Sequence, residues 1–238
     1  MKKIIFLYLL TSSILFAQKK YHFDYAFGVK QSYKINKIDE ISFNSIFLVN
    51  SKNNSYHLYA QDGKDSLNFS MHFIDHNGVS FNSQMSKVNF YKAETISNSC
   101  NEVFRYLNPY RRNINQEKSK QYNFINYSDT IINDTSYYHY ALKSNRKLKY
   151  QKRKKIVTIH YIVEKSDSNF LPFANFSSIY EIWKISKTIP NGNPKIIYYT
   201  DFKGEETGKM EITKIKVDKY ATIPEECDYS NPKIWDGK

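Results

Sequence analysis

Apolar side chains recur at every second position along much of this chain, and this period of two constrains the fold more than any other feature. In the first such segment, five apolar side chains would share one face of a strand: Tyr21, Phe23, Tyr25, Phe27 and Val29. Helical periodicity is scarce by comparison. The sequence therefore predicts a protein built mostly from β-strands.

Turn sequences divide the first half of the chain into successive strands. Asp62-Gly63 and Asn77-Gly78 favour tight hairpins, because both central residues of such turns adopt positive φ. The strands that these turns imply form an up-and-down meander at 41–50, 56–60, 67–73 and 79–91.

The second half continues this pattern, with turns at 133–134 and 190–193. The strands predicted there are 122–132, 136–142, 156–163, 179–189, 195–202 and 210–217. The total is about ten to eleven strands, joined mostly as sequential antiparallel neighbours. We therefore predict an all-β fold with minor α content: a large antiparallel meander that forms a strongly curved sheet or an open barrel, with one short helix.

The short helix is expected after residue 99. Ser99 and Glu102 match a capping box, and Val103, Phe104 and Leu107 are spaced so that they share one buried face.

The first 17 residues have the layout of a secretory signal peptide. Lys2 and Lys3 begin it, 4–16 is a short apolar run, and Ala17 offers a small residue at the cleavage point. The apolar run is shorter than the about 20 residues that a membrane-spanning helix needs. We expect 18–238 to be a single β-rich domain that is exported, either to the periplasm or into the medium. No transmembrane helix is expected in it, and no lipid anchor, because no cysteine follows the apolar run directly.

The chain carries a formal charge of +12, and its basic residues are mostly lysines. Sequence-specific nucleic-acid readers use the bidentate arginine fork instead, so we expect no nucleic-acid partner.

Eight cations concentrate in one stretch, which we call the basic stretch: Lys143, Arg146, Lys147, Lys149, Lys152, Arg153, Lys154 and Lys155. It is either a solvated hairpin tip or a surface for anionic lipids, lipopolysaccharide or acidic glycans.

Two cysteines, Cys100 and Cys227, are the whole complement of the chain. In an oxidising compartment they could form one disulfide, and the alternative is two free thiols.

Catalytic and metal-binding motifs are absent from the sequence. It has no nucleophile elbow, no phosphate-binding glycine loop and no zinc-protease signature. His72 and His76 would share a strand face about 13 Å apart, too far for one ion, whereas His22, His139 and His160 could converge only across strands. We therefore expect no catalytic residues, no metal and no cofactor. A hydrolase assembled from distant residues is the third functional hypothesis.

A signal peptide, a long antiparallel meander, one mid-chain helix, an apolar loop at 166–178 and no catalytic motif together resemble the LolA/LolB-type periplasmic lipoprotein carriers. The Phe16-Ala17-Gln18 boundary and the abundance of Tyr, Asn and Lys resemble exported proteins of Bacteroidota. The resemblance implies an unclosed β-barrel, plugged by helices, around an apolar cavity. The long basic stretch departs from that pattern.

The leading hypothesis is a non-enzymatic envelope protein that binds an amphipathic or lipid-like ligand. The candidate pocket residues lie on the helix and the apolar loop: Phe104, Leu107, Phe170, Phe173 and Phe176. The alternative is a surface or scaffold module that binds an anionic envelope surface through the basic stretch. The sequence does not specify an oligomeric state.

Overall fold

The computed structural model describes residues 18–34, 40–105, 117, 119–229 and 231. This part of the chain contains three α-helices, α1 (Lys87–Lys92), α2 (Leu148–Lys154) and α3 (Ser177–Ser186), and thirteen strands. The strands are β1 (Gln18–Lys34), β2 (Glu40–Asn50), β3 (Asn53–Asp62), β4 (Asn68–Asp75), β5 (Val79–Ser86), β6 (Thr95–Ser97), β7 (Val103–Arg105), β8 (Tyr122–Asn126), β9 (Thr130–Ile132), β10 (Thr135–Ser144), β11 (Thr158–Glu164), β12 (Pro194–Thr200) and β13 (Glu206–Pro224).

All thirteen strands belong to one open, curved sheet. The spatial order is β7-β5-β4-β3-β2-β1-β13-β12-β11-β10-β8, with β9 paired to β10 and the short β6 paired in parallel to β13. The other pairings are antiparallel. The predicted fold class is confirmed, although the strands and helices outnumber the prediction. β1 and β13 lie side by side in the middle of the sheet.

Each face of the sheet buries its own apolar cluster. On the α3 face, α3 and the preceding loop cover a cluster that includes Phe27, Phe47, Tyr161 and Ile197. On the opposite α1 face, Phe90 of α1 belongs to a second cluster with side chains of β1 to β5. Alternation along the strands supplies both clusters, because neighbouring side chains of a strand point to opposite faces.

β1 changes faces along its length. Tyr21 and Phe23 belong to the α1-face cluster, whereas Phe27 and Val29 belong to the α3-face cluster, although strict alternation would keep all four together. An irregularity between Phe23 and Tyr25 in the pairing with β13 accounts for the change. The prediction that these side chains share one face is therefore wrong, and the switch lets one strand serve both clusters.

Two predicted strands are partly helical. Residues 87–91 fall in α1, whose N-terminus is capped by the Ser86 hydroxyl accepting a hydrogen bond from Asn89 N. Residues 179–186 fall in α3, where the spacing of Ile179, Tyr180 and Trp183 suits one helical face on the cluster beneath. The strand predictions for these residues are wrong. Their aromatic and β-branched side chains fit the period of a strand as well as that of a helix, so the sequence pattern does not distinguish the two.

The predicted helix after residue 99 is also wrong. Glu102 does accept a hydrogen bond from Ser99 N at 2.9 Å, but this contact closes a turn. The chain then enters β7, where Val103 pairs with Phe81 of β5. Leu107 lies outside the described residues.

The disulfide prediction is confirmed: Cys100 and Cys227 are bonded, with their Cα atoms 5.6 Å apart. The bond joins the turn before β7 to the short 3-10 helix that follows β13 (Glu225–Cys227). Residues 1–17 lie outside the described part. Within the described part, no helix is long and apolar enough to cross a membrane.

Candidate functional site

A groove runs along β1 and β13 on the α1 face, and its chemistry changes along its length. Successive cross-strand pairs facing it are Ala26 with Ile215, Gly28 with Thr213, Lys30 with Glu211, and Ser32 with Lys209. The first pairs are apolar or small and the last are charged. We call this feature the β1–β13 groove. Its polarity follows from the antiparallel register, since each strand contributes its apolar residues to the same end.

The apolar end of the groove encloses about 620 Å³. Its walls are formed mainly by side chains of β2, α1 and β13, namely Ile46, Leu48, Phe90, Tyr91, Ile215 and Val217. Two of them are largely open to solvent, Tyr91 at 63% and Ile215 at 57% exposure. Exposed apolar surface that lines a concave site typically marks a binding site.

Gly28 gives the groove its depth. A Cβ atom built at this residue would have Thr213 O, at 3.9 Å, as its nearest neighbour, so a side chain there would extend into open space. Glycine weakens a strand interior and commonly marks a close approach by another group. The absent side chain leaves room for a ligand.

Lys219 holds the α1 wall of the groove in place. Its Nζ donates hydrogen bonds to the carbonyl oxygens of Phe90 at 2.9 Å and Tyr91 at 3.2 Å, and also to Ala93 O. Burial lowers the pKa of Lys219 below its usual value. The Phe90 ring is itself packed edge-on against Phe69, with centroids 5.0 Å apart.

The charged end of the groove encloses about 300 Å³ and carries three ammonium groups and two carboxylates. They belong to Lys30, Lys34, Lys209, Glu206 and Glu211. Lys209 Nζ lies 2.7 Å from Glu211 Oε1, and this hydrogen bond, reinforced by the positive charges of Lys209 and Lys30, lowers the pKa of Glu211. The charged end therefore has an excess of positive charge.

A second cavity, of about 460 Å³, lies on the α3 face and is lined by six strands, the loop before α3 and the start of α3. We call it the α3-face cavity. Its lining residues are Gln31, Tyr33, Phe47, His57, Tyr59, His72, Ile74, Asn175, Phe176, Ser177, Ser178, Tyr199 and Met210.

The structure separates the predicted pocket residues. Phe170 and Phe173 are each only 5% exposed and pack in the α3-face cluster, where Phe173 lies 5.2 Å from Phe47 between ring centroids. Phe176, 48% exposed, stands at the α3-face cavity. Phe104, on β7, stacks over His72 at 6.5 Å. The four of them that the structure describes thus form no common pocket wall, Leu107 lies outside the described residues, and whether any of the five contacts a ligand stays a prediction.

The basic stretch begins at Lys143 near the end of β10 and continues through the connection to β11, which contains α2. All eight of its cationic residues are exposed, and none has a carboxylate within 4 Å among the described residues. The guanidinium groups of Arg146 and Arg153 lie over the Tyr150 ring, 5.7 and 5.6 Å from its centroid. This segment therefore presents uncompensated positive charge.

Two of the histidines that could converge across strands do so. His139 Nε2 and His160 Nδ1 are 3.3 Å apart, on paired strands, whereas His22 contacts Asp218 elsewhere. Burial is the main cause that lowers the pKa of His160 to about 4. No group of three histidine, cysteine or carboxylate side chains in the described ranges could hold a metal ion.

Sequence reasoning missed the β1–β13 groove. Its lining residues in β1, Ala26, Gly28 and Lys30, occupy the even positions between the predicted apolar ones. That run of small and charged residues was the available signal, but only the register with β13 shows that it lines a groove.

No protein-family model matches the chain, and no curated protein matches it. Several solved structures are similar to it. A putative outer membrane lipoprotein-sorting protein domain from Vibrio parahaemolyticus is 10% identical, with a TM-score of 0.32, covering 81% of this chain and 85% of that one. A LolA superfamily protein from Nitrosomonas europaea is 14% identical, with a TM-score of 0.29 and coverages of 81% and 84%.

The MucA/MucB complex of Pseudomonas aeruginosa provides a third similar chain, at 9% identity and a TM-score of 0.37, with 83% of this chain and 52% of that one covered. LolA-type proteins are thus among the structural neighbours, as the resemblance predicts. With TM-scores below 0.5, these similarities identify no ligand or partner of this chain.

Proposed function

We propose that this chain is an exported, non-enzymatic envelope protein that binds a lipid-like ligand in the β1–β13 groove, with one apolar chain at the Ala26 end and a negatively charged head group at the Lys34 end. The observation that carries the proposal is the continuity of an apolar cleft with a lysine-rich pocket along a single strand pair.

The dimensions of the groove suit such a ligand. Ala26 and Ser32 are six residues apart, which corresponds to about 20 Å along an extended strand. The apolar volume of 620 Å³ lies within the usual range of small-molecule sites.

Charge complementarity selects the head group. Lys30 and Lys34 have no carboxylate within 4 Å among the described residues, whereas Glu211 is already paired with Lys209. An anionic head group would therefore gain charge-assisted hydrogen bonds without displacing an ion pair.

The experiment is to introduce a larger side chain at Gly28, in the floor of the groove. Gly28→Leu places a branched side chain in the open space below the ligand and should lower the affinity for a dansyl-labelled fatty acid at least tenfold, measured by fluorescence titration. Thermal unfolding should show that this variant is as stable as the unmodified protein or more stable, because glycine has no side chain to pack and leucine adds one.

Ser70→Leu is the matched control, since Ser70 is a half-buried strand residue that lines neither the groove nor the α3-face cavity. It should leave fatty-acid binding unchanged. If Gly28→Leu binds the probe as tightly as the unmodified protein, the groove is not the lipid site. Binding of a protein segment but no fatty acid would also overturn the lipid assignment.

Export itself is part of the proposal. Lys19, two residues beyond the predicted cleavage point, pairs with Asp228 at 3.1 Å and with Asp75 at 3.6 Å, so the chain is fixed close to the cut. Mass spectrometry of the protein recovered from the periplasm or medium should show a mature chain that begins at Gln18. Recovery with residues 1–17 attached would contradict export by a cleaved signal.

A second candidate function is attachment to an anionic surface through the basic stretch, which the eight exposed and unpaired cations favour. Replacing Lys152, Arg153 and Lys154 together by Gln should reduce sedimentation with phosphatidylglycerol vesicles several-fold at low salt. Replacing the exposed Lys64, Lys92 and Lys216 by Gln removes the same number of charges elsewhere and is the control for net charge. Equal losses in both variants would show that only the overall charge matters.

A further inference from the structure

The α3-face cavity differs in kind from the β1–β13 groove, because none of its thirteen lining residues is an aspartate, glutamate, lysine or arginine. Charged residues make up 24% of the chain, so their absence from the lining of this cavity is marked. The cavity lies on the opposite face of the sheet, so a ligand there would not occupy the groove. We propose that the α3-face cavity binds a neutral sugar unit of a glycan.

The lining excludes other ligand classes. A charged ligand would find no counter-charge in the cavity. A purely apolar ligand would leave the buried Nδ1 of His57 without a hydrogen-bond partner, which is unfavourable for a polar atom removed from water. A neutral, polyhydroxylated ligand meets neither obstacle.

The apolar part of the lining is aromatic, which suits a sugar ring. Tyr33, Phe47, Tyr59, Phe176 and Tyr199 surround the space with flat rings. The face of an aromatic ring is electrostatically negative and attracts weakly positive C–H groups, such as those on the faces of a sugar ring. Polar and aromatic groups together cover both kinds of sugar surface.

His57 is the main polar anchor in this proposal. It is only 3% exposed, its Nδ1 is buried without a hydrogen-bond partner, and it makes no hydrogen bond to any other described residue. Burial, and then the nearby His76 and His72, lower its pKa well below the usual value, so the imidazole is neutral. A neutral imidazole has one donor and one acceptor, and a sugar hydroxyl can satisfy either.

The cavity wall that faces His57 is held in place before any ligand binds. His76 Nε2 donates to Ala174 O at 3.0 Å, and Ser177 Oγ lies 3.0 Å from His76 Nδ1. These contacts fix both ends of the short segment that carries Asn175 and Phe176 over the cavity. A preformed wall lowers the ordering entropy that binding would otherwise require.

The test is isothermal titration with N-acetylglucosamine, glucose, galactose and their β-linked disaccharides, with glucuronate as the charged comparison. At least one neutral sugar should bind, and His57→Phe should weaken it at least tenfold. The same variant should be as stable as the unmodified protein or more stable, because it replaces an unpaired buried polar group by an apolar one of similar shape. A purely structural role for His57 predicts the opposite change in stability.

Phe176→Ala provides a second variant that keeps the core intact, since Phe176 is half exposed, and it should weaken binding several-fold. Gly28→Leu, in the groove, should leave sugar binding unchanged. Three outcomes would overturn the proposal: no binding of any neutral sugar, full binding by His57→Phe, or glucuronate binding as tight as that of the neutral sugars.

Discussion

At the scale of single residues, His76 shows how a buried histidine is kept neutral. The carbonyl oxygen of Ala174 can only accept, so His76 Nε2 carries the proton, and its Nδ1 then accepts from the Ser177 hydroxyl. Burial lowers the pKa of His76 to about 4. Protonation at Nδ1 would require the Ser177 hydroxyl to accept instead of donate, and it would place a charge in the α3-face cluster.

This arrangement predicts acid destabilisation between pH 6.5 and about 4. In that window the unfolded chain binds a proton at residue 76 and the folded chain does not, so the free energy of unfolding falls as the pH is lowered. The loss from His76 alone is on the order of 3 kcal/mol. Urea denaturation across the window measures it, with His57 adding to the loss in the same direction.

His76→Gln should reduce this pH dependence without abolishing it, since the amide can still bond to both partners but does not titrate, whereas His57 and His160 still do. His22→Gln is the control, because His22 lies at the surface beside Asp218. An unchanged slope in His76→Gln would show that other groups cause the acid sensitivity.

At the scale of structural elements, the disulfide between Cys100 and Cys227 ties the turn before β7 to the end of β13 across 127 residues of chain. Chain-entropy arguments assign roughly 4–5 kcal/mol to a loop of this length. Replacing both cysteines by Ser should lower the free energy of unfolding by about that amount. Reduction of the unmodified protein should give the same loss, and a stability unaffected by reductant would contradict this account.

The strands of the sheet were predictable because the alternation of apolar side chains can be read from a few neighbouring residues. Turns such as Asn77-Gly78 are also recognisable from their residue types alone. The helices α1 and α3 were not predictable from the sequence. In α3, Ile179 and Tyr180 fit a strand as well as a helix, and only their packing on the α3-face cluster favours the helix. The disulfide was predictable as the one available pairing.

The groove and the α3-face cavity were not predictable from the sequence, since they depend on contacts between distant segments. Gly28 and Ile215 meet in the groove only through the register of β1 with β13, and His57 and Asn175 line one cavity only because a loop crosses the sheet. Sequence periodicity places a side chain on a face but does not say which segment covers that face.

At the scale of the whole molecule, the central β1–β13 pair makes the sheet depend on both ends of the described chain. A variant that ends at residue 205 lacks β13 and therefore separates β1 from β12. It should show no cooperative unfolding transition in circular dichroism or urea denaturation. Cooperative unfolding of this truncated chain would mean that the two halves of the sheet fold independently.

The same adjacency sets the order of events during folding. The middle of the sheet cannot close until the strand synthesised last has arrived beside the one synthesised first, and pairings between such distant segments form slowly. A chain that is still being synthesised would therefore stay loosely folded until β13 is complete. The β1–β13 groove and the α3-face cavity, which both need residues of β13, can form only after that step.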